Sequence, residues 1–383
     1  MSAVVIDVRR AEDVRDVIHR SVQALAEGKL VVFPTETVYG LAASALDAAA
    51  VQRLAEVKGR SVDHPLALAV KSADEAFDYV PDISPIGRRL ARRCWPGPVT
   101  LVLGDNHPDS LIQRLPASVR ELVVPGKTLG LRVPAHPIIL EVLQLMAGPL
   151  ALTSANHSGQ PDAVSADEVI EYFGDRVELV LDDGRSQFAQ SSSVIRIDER
   201  RVNVLRQGVV SESTIKRLAS FLVLMVCTGN TCRSPMAELL MRRRLATHLG
   251  CEMDQLDERG AQVLSAGIAA MPGGRPSPEA VNVMQERQLD LSPHLSQPLS
   301  PHLARHADLI LTMTQSHRDA VVRQLPEAET RVRLLRIDQG DISDPIGGSI
   351  DVYRRCADQI NEQIEYQIQQ LDLKGLIGDV SGG

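Results

Sequence analysis

The feature that most constrains this fold is an apolar run of strand length, FLVLMV (221–226), that leads directly into a polar loop. Unbroken apolar runs of this length are typical of strands buried on both faces of a parallel sheet. The loop reads CTGNTCRS, and Pro235 follows it. Proline suits the first position of a helix, because its missing N–H would have no partner there. The segment therefore predicts a strand, a loop and a helix whose N-terminus faces the loop.

The composition of this loop predicts an anion site. Free backbone N–H groups and the positive end of the helix dipole favour an anion. Cys227 follows the strand, and Arg233 can stabilise its thiolate and grip two oxygens of a phosphoryl group. Ser234 can donate a hydrogen bond to the thiolate, and Asn230 can brace the loop. Phosphoryl transfer through a phosphocysteine is predicted, and a buried cysteine beside a surface arginine is the alternative.

The stretch CTGNTCRSPMAE (227–238) resembles the phosphate loop of the low-molecular-weight protein tyrosine phosphatase family. It is most similar to the branch that dephosphorylates phosphoarginine. The family carries an acid in a late Asp-Pro loop, and DISDPIGGSIDVY (341–353) offers Asp344 before Pro345. The resemblance implies that Asp344 protonates the leaving group and then deprotonates the water that hydrolyses phosphocysteine. It implies no cofactor for this half of the chain.

The resemblance also implies that the residue before the second cysteine selects the substrate. Threonine there marks arginine phosphatases and a bulky aliphatic residue marks tyrosine phosphatases, and this chain has Thr231. Ile346 stands where relatives of both kinds tend to carry an aromatic residue, so phosphotyrosine stays open as the alternative to phosphoarginine. Cys232 can form a reversible disulfide with Cys227, or it can be a small buried residue.

Composition limits what the chain can be. It has 383 residues, of which 44% are hydrophobic, enough for two or three domains with their own cores. Five cysteines at irregular spacing, no secretory N-terminus and no apolar run near about 18 residues predict a cytoplasmic protein without a membrane segment. No cysteine or histidine spacing predicts a metal site. The net charge of −8 argues against tight RNA or membrane binding.

Beyond residue 221, strand patterns alternate with helical patterns. This alternation predicts an α/β domain with a parallel sheet covered on both sides, and its phosphate loop follows the first strand, where such folds bind ligands. Further strands are predicted at 262–267, 308–313 and 332–337, and helices at 277–288, 315–325 and 350–372. We expect a linker with room for a short helix over 209–220, the domain over 221–373 and a flexible tail over 374–383.

Residues 1–208 have another pattern. Strand-like segments predominate, for example KLVVFPTETVYGLAA (29–43) and WPGPVTLVL (95–103). Helical periodicity is scarce outside three segments, which are 11–27, 45–57 and 136–147. These residues are predicted to form an α+β domain with a twisted sheet.

Three motifs of this first domain resemble the threonylcarbamoyl-AMP synthase family, which has the YrdC-like fold. They are PTETVYGL (34–41), the turn Lys58-Gly59-Arg60 and Thr-Ser-Ala-Asn (153–156), in that order. The family joins L-threonine, bicarbonate and ATP into threonylcarbamoyl-adenylate, which serves the modification of an adenosine beside the anticodon of certain tRNAs. The resemblance is to the short form of the synthase, which implies a separate tRNA threonylcarbamoyl transferase complex as the receiver.

The chemistry of this reaction explains the residue types. A threonine carbamate attacks the α-phosphate of ATP, so the protein must gather anions and shield their charge, with Mg²⁺ assisting. The cations expected on the ATP phosphates are Lys58, Arg60 and Arg206. The resemblance implies that Thr128 and Asn156 also face the nucleotide, and that the amino acid is held by Thr35, Arg132, Ser154 and Ser192. Arg132 would pair with the carboxylate of L-threonine.

Three hypotheses follow for the whole chain. The favoured one is a bifunctional enzyme, an adenylate synthase joined to a phosphoarginine phosphatase. The second is a phosphotyrosine phosphatase joined to an RNA-binding YrdC-like module, which the acidic charge and an aromatic content of only 3% disfavour. The third is a scaffold with an inactive phosphatase, which the presence of Cys227, Arg233 and Asp344 disfavours.

Overall fold

The structure is a computed structural model that describes residues 3–59, 65–105 and 107–377. It divides into two compact units, Met1–Ile215 and Lys216–Gly383, which are treated separately below. The division falls inside a short helix, α8, described with the second unit. Of the expected tail, residues 378–383 lie outside the described part of the chain.

Within the described residues of the first unit, ten strands form one mixed sheet. In space the strands follow the order β1-β8-β2-β3-β7-β4-β6-β5-β9-β10, with parallel and antiparallel neighbours. Their bounds are β1 Val4–Asp7, β2 Val31–Phe33, β3 Gly40–Ser44, β4 Ala67–Ala69, β5 Val99–Gly104, β6 Thr128–Arg132, β7 Leu150–Ser154, β8 Leu179–Asp182, β9 Ser193–Asp198 and β10 Arg201–Arg206. The predicted α+β class with a twisted sheet is confirmed.

Seven α-helices accompany this sheet in the described residues. They are α1 Val14–Ala26, α2 Ala48–Lys58, α3 Ala73–Tyr79, α4 Pro85–Cys94, α5 Ala117–Val123, α6 Pro137–Leu145 and α7 Ala166–Phe173, with 3₁₀ helices at Val8–Arg10, Leu111–Arg114 and Pro125–Lys127. The apolar faces of α1 and α6 pack against the sheet, and Leu25 and Ile139 are fully buried there. Periodicity predicted α1, α2 and α6 correctly.

The expectation that helices are scarce elsewhere in this unit is wrong. Helices α3, α4, α5 and α7 are only 7 to 10 residues long, too short to show a clear period. Three of them begin at a serine cap, where Ser72, Ser84 and Ser165 each accept a hydrogen bond from a backbone N–H of the first turn. Capping signals rather than periodicity therefore mark these helices in the sequence.

The second unit is built on four parallel strands in the order β12-β11-β13-β14. Their bounds are β11 Phe221–Cys227, β12 Ala261–Gly267, β13 Leu309–Thr312 and β14 Val332–Leu334. All residues of β11 are buried, because alternate side chains enter two separate cores on the two faces of the sheet. Each large apolar side chain buried in this way contributes about 1.5–3 kcal/mol. The predicted all-parallel α/β architecture is confirmed.

Helices cover both faces of the second sheet. Their bounds are α8 Glu212–Ala219, α9 Arg233–Leu249, α10 Pro278–Glu286, α11 Pro301–His306, α12 Gln315–Gln324, α13 Ile350–Gln369 and α14 Leu373–Leu376, with 3₁₀ helices at Met253–Gln255 and Pro326–Arg331. Since α9 begins at Arg233, Pro235 is its third residue and not its first as expected. Proline is tolerated there because the first four N–H groups of a helix have no intrahelical acceptor.

The topology places the end of β11 at a special position. Its neighbours β12 and β13 lie on opposite sides, so the chain crosses from one side of β11 to the other. Open parallel sheets bind ligands outside the carboxyl ends of their strands at such a switch point. Cys227 is the last residue of β11 and lies at this point.

Candidate active sites

In the second unit, Cys227 lies at the bottom of a compact loop. Its side chain is buried, and its Sγ lies 2.9 Å from Ser234 Oγ. The backbone N–H of Asn230 donates to the same sulfur at 3.2 Å. One backbone donor and one hydroxyl therefore contact Sγ from within the same loop.

Asn230 braces the loop, as its position in the motif suggested. Its backbone has a φ of 54°, in the left-handed region that asparagine tolerates better than most residues. Its side-chain nitrogen donates to Ser234 Oγ at 2.9 Å and to Ser265 Oγ at 2.8 Å. Its side-chain oxygen accepts from the N–H of Gln297, and its carbonyl lies 2.9 Å from Nε2 of His294. With the bond from its N–H to Cys227 Sγ, five contacts therefore fix this residue.

The partners Ser265, His294 and Gln297 were not found from the sequence. They come from β12 and from the loop after α10, 35 to 67 residues away along the chain. Gly267, at the end of β12, is explained by the same packing: a Cβ there would lie 2.4 Å from the carbonyl oxygen of Thr228. The neighbouring strand thus needs glycine to approach the loop.

The loop presents backbone donors that the protein itself does not use. In the described part of the chain, no protein acceptor is seen for several backbone N–H groups of this loop, among them those of Gly229, Thr231, Cys232 and Arg233. The last belongs to the first turn of α9, a 17-residue helix, so the dipole adds positive potential. These groups are consistent with the cradle for an anion that the sequence predicted, and anion binding there stays a prediction.

Arg233 and Asp344 meet at this cradle although 111 residues separate them. The guanidinium of Arg233 is buried, donating through one nitrogen to the carbonyl of Ile342 at 3.2 Å and through the other to Asp344 Oδ2 at 2.5 Å. The side chain of Asp344 is 46% exposed, and its second oxygen accepts from the N–H of Ile346. The structure therefore brings the predicted cation, acid and nucleophile together.

Thr231 and Cys232 lie on the rim of the loop. Thr231 is half-buried, and its hydroxyl lies 3.7 Å from the sulfur of Cys232. That sulfur also contacts Ser277 Oγ at 3.4 Å and Tyr353 Oη at 3.5 Å, and burial raises the pKa of Tyr353 to about 12. Cys227 and Cys232 are free thiols in this structure, so the reversible disulfide stays a prediction.

In the first unit, the predicted side chains line one cavity. It encloses about 320 Å³ and lies among β3, β5, β6, β7 and the segments that follow β7. Eight of the nine predicted residues face it, namely Thr35, Lys58, Thr128, Arg132, Ser154, Asn156, Ser192 and Arg206. The ninth, Arg60, lies outside the described residues.

The Thr-Ser-Ala-Asn turn holds the ammonium group of Lys58. Lys58 is the last residue of α2, and its Nζ donates to the carbonyl oxygens of Ser154 and Asn156 at 2.8 and 2.6 Å. The side-chain oxygen of Asn156 accepts at 2.6 Å as well. The two motifs, 96 to 98 residues apart, form one structural unit on the cavity wall.

Arg132 has a carboxylate partner inside the protein. It donates to Glu36 Oε1 at 2.7 Å and to Thr37 Oγ1 at 2.8 Å, and the other oxygen of Glu36 accepts from the N–H of Ala135. Both members of this ion pair are more than nine-tenths buried. Glu36 was not identified from the sequence, although PTETVYGL contains it; its pairing with β6 is a tertiary contact.

Arg206 is attached to the other side of the same cavity. Its guanidinium donates to the carbonyl oxygen of Ser192 at 3.0 Å and to its hydroxyl at 3.2 Å, and that hydroxyl lies 3.2 Å from Thr100 Oγ1. Burial lowers the pKa of Arg206, and the carboxylate of Asp162 opposes this shift. Among the described residues that line the cavity, Asp162 is the one carboxylate.

The described residues contain neither a candidate metal centre nor a candidate membrane-spanning helix. No group of three or more His, Cys, Asp or Glu side chains there is arranged to hold a metal ion. None of the helices in the described ranges combines the length and apolarity that a membrane crossing requires.

Comparisons with known proteins agree with this division. A family model described as "Telomere recombination" (Sua5, YciO and YrdC) matches residues 23–208, and the model of the low molecular weight phosphotyrosine protein phosphatases matches residues 222–375. The threonylcarbamoyl-AMP synthase of Pyrococcus abyssi is 40% identical over 195 residues, which are 51% of this chain and 54% of that protein. A putative threonylcarbamoyl-AMP synthase of Mycobacterium tuberculosis is 36% identical over 51% of this chain and 85% of its own length.

The second half has its own relatives. The protein-arginine-phosphatase of Bacillus subtilis is 37% identical over 153 residues, which are 39% of this chain and 95% of that protein. Among solved structures, P. abyssi Sua5 complexed with L-threonine is similar to this chain with a TM-score of 0.51 and 26% identity, over 69% of this chain and 92% of that one.

The fold and the comparisons thus define a protein made of two enzyme classes, a nucleotidyltransferase-type synthase and a protein phosphatase. More particularly, the chain belongs to the threonylcarbamoyl-AMP synthase family through its first half and to the low-molecular-weight phosphatase family through its second half. Both family assignments made from the sequence are confirmed.

Proposed function

We propose that this chain is a bifunctional enzyme that makes L-threonylcarbamoyl-adenylate and hydrolyses phosphorylated protein side chains. For the phosphatase, the observation that carries the proposal is the buried Cys227 thiol in a loop with several unused N–H donors, whose Arg233 is paired with Asp344. This arrangement supports in-line attack on a phosphoryl group whose oxygens are already held.

The proposed reaction has two steps. Cys227 Sγ attacks phosphorus, the bond to the side chain breaks, and the departing atom takes its electron pair and a proton from Asp344. Asp344 then removes a proton from water as the water oxygen attacks the phosphocysteine, and inorganic phosphate leaves with the thiolate restored. Since Asp344 accepts a hydrogen bond from Arg233 in this structure, the incoming phosphoryl oxygens take over that donor and release the acid.

Phosphoarginine is the proposed substrate, with phosphotyrosine as the alternative. The support comes from the half-buried hydroxyl of Thr231 on the rim and from the arginine phosphatase of B. subtilis among the relatives. A hydroxyl can bond to a polar guanidinium, whereas an aliphatic rim suits an aromatic ring. No cofactor is needed in this proposal.

The substrate test compares kcat/KM on phosphoarginine and phosphotyrosine peptides of the same sequence. We expect the wild type to prefer phosphoarginine by at least about tenfold, and Thr231→Ile to reverse the preference because it removes the polar contact. Thr231→Ser, which keeps the hydroxyl, is the matched control and should retain the preference. Better phosphotyrosine turnover by the wild type would support the alternative, in which Ile346 and its neighbours determine the substrate.

For the synthase, the observation that carries the proposal is one cavity lined by eight of the nine polar or cationic side chains that the sequence analysis assigned to the substrates. We propose that Lys58, Arg60 and Arg206 neutralise the phosphates of ATP, with Thr128 and Asn156 beside the nucleotide. The carbamate oxygen of threonine attacks the α-phosphate, and pyrophosphate leaves. L-Threonine would be held by Thr35, Arg132, Ser154 and Ser192.

Arg132 needs a more specific role than the sequence indicated. Because Glu36 already neutralises part of the charge of Arg132, the carboxylate of L-threonine would bind beside an existing ion pair.

Mg²⁺ fits this cavity as an ion brought by ATP. It prefers phosphate oxygens, water and one or two carboxylates, and Asp162 lines the cavity. There it would offset the negative charge of the phosphates.

The synthase test measures pyrophosphate release from ATP. We expect release that requires both L-threonine and bicarbonate, and that falls by at least about tenfold in Arg206→Ala, because a phosphate contact is lost. Pyrophosphate release without L-threonine, or no pyrophosphate release with all three substrates present, would reject the proposed synthase activity. Binding to tRNA that weakens steeply with salt, in a protein that makes no adenylate, would instead support the RNA-binding alternative.

We expect the adenylate to pass in the cytoplasm to a separate tRNA threonylcarbamoyl transferase complex. The support is the match to synthases over this cavity-bearing unit. The phosphatase substrate would be a phosphoprotein.

A further inference from the structure

A histidine outside the phosphatase motif contacts the nucleophile loop. His317 lies in the first turn of α12 and is only 3% exposed. Its Nε2 lies 2.9 Å from the hydroxyl of Thr228, the residue that follows Cys227. Its Nδ1 lies 2.9 Å from the hydroxyl of Thr314, which caps α12. Both ring nitrogens are therefore occupied, one by the loop and the other by the start of a helix.

The same helix start is connected to the segment that carries the acid. The N–H of Gln315 donates to Asp341 Oδ1 at 2.8 Å, three residues before Asp344. His317 is thus the residue through which α12, whose first turn is bonded to the acid segment, contacts the nucleophile loop. Thr228 is an exposed loop residue with few other restraints on its side chain. Loss of the contact with the His317 ring would therefore change the position of Thr228 first.

The ring is neutral at physiological pH. Burial lowers the pKa of His317 to about 4, the positive charge of Arg233 adds to this shift, and the carboxylates of Asp344 and Asp341 oppose it. A neutral imidazole offers one donor and one acceptor, so it can bind a hydroxyl at each nitrogen in opposite senses. It also adds no positive charge beside Arg233 that would compete for the substrate.

We propose that His317 is a positioning residue for the phosphatase reaction, because it holds the Thr228 hydroxyl and so fixes the first residue of the anion loop. This inference rests on the phosphatase function proposed above. Oxyanion stabilisation depends on donors that are in place before the substrate arrives, and Thr228 directly precedes the N–H groups that form the cradle. Releasing Thr228 would therefore weaken binding of the phosphoryl oxygens.

A double-mutant cycle tests this inference. We would measure kcat/KM on p-nitrophenyl phosphate, and the affinity for inorganic phosphate by calorimetry, for the wild type, His317→Ala, Thr228→Val and the double variant. If His317 acts through Thr228, each single change lowers kcat/KM by about tenfold, and the second change adds less than about twofold. Phosphate affinity should fall in parallel.

Two conservative variants separate positioning from simple structural support. His317→Gln places an amide near the position of Nε2 and keeps the contact with Thr228, whereas His317→Asn reaches only as far as Nδ1 and keeps the contact with Thr314. Relative to His317→Ala, we expect His317→Gln to restore most of the kcat/KM and His317→Asn to restore little of it. The melting temperatures of the two variants should be similar. His302→Ala, at an exposed position of α11, is the matched control and should leave kcat/KM unchanged.

The inference fails if the losses multiply to about 100-fold in the double variant, or if the Gln and Asn variants are equally active. A folded wild type that does not hydrolyse p-nitrophenyl phosphate would reject the proposed phosphatase function instead. The phosphate affinities of the four variants would then still decide whether His317 positions the loop.

Discussion

At the scale of single residues, the sites depend on side chains that satisfy each other before any substrate binds. Asn230 has five hydrogen-bond contacts and a left-handed backbone, and Lys58 is surrounded by oxygens of one turn. Such a residue cannot be replaced without loss, because a buried polar group that loses its partner costs about 1–3 kcal/mol. Motif residues in this chain thus stabilise the local structure in addition to their proposed roles at the sites.

The buried ion pair between Glu36 and Arg132 gives a prediction at this scale. Glu36→Ala leaves a buried guanidinium without its carboxylate, so the free energy of unfolding of the first unit should fall by about 3–5 kcal/mol. Glu27→Ala, which breaks an exposed pair with Lys29, is the matched control and should leave this free energy nearly unchanged.

Urea unfolding followed by tryptophan fluorescence measures both variants. The chain has a single tryptophan, Trp95, which is buried in the first unit, so its signal reports on that unit. Equal losses in the two variants would show that the Glu36 pair contributes no more than a surface pair does.

At the scale of secondary-structure elements, the sequence predicted the parts whose signals are local. The strand β11, the helix α9 and the loop between them follow from an apolar run, a proline and a cysteine–arginine spacing. The helices α3 and α7 were missed because they are short, and the contacts of Ser265, His294 and Glu36 were missed because they depend on tertiary packing. Sequence patterns thus identified the elements and the motif residues, but not the side chains that hold the motifs in place.

The start of α12 gives a prediction about pH. The pKa of His317 is lowered from 6.5 to about 4, so between these pH values the unfolded chain binds a proton that the folded chain does not. Stability of the second unit should therefore fall as the pH falls from about 6.5 to about 4, by up to about 3 kcal/mol from this residue alone. His317→Gln should lose less stability over the same range.

Urea unfolding at several pH values, followed by circular dichroism, compares the two proteins. Because exposed carboxylates titrate in both, the difference between the wild-type and variant pH slopes isolates the histidine. Identical slopes would show that His317 is not held neutral in the folded protein.

At the scale of the whole molecule, two units with separate cores carry two sites of unrelated chemistry. The proposed phosphatase site combines a candidate nucleophile, a candidate acid and a helix N-terminus, whereas the proposed synthase cavity is lined by cations and hydroxyls. The two proposed reactions share no intermediate. Co-expression of the two activities in one chain is therefore a sufficient account of the fusion. Each site should then work when the other is inactivated.

The most direct test of this account measures both activities in three full-length proteins: the wild type, Cys227→Ser and Arg206→Ala. Cys227→Ser should lose phosphatase turnover by at least about 1,000-fold and keep wild-type adenylate synthesis, because only the nucleophile is removed. Arg206→Ala should lose synthesis by at least about tenfold and keep phosphatase turnover. Loss of both activities in either folded variant would contradict the two-site account.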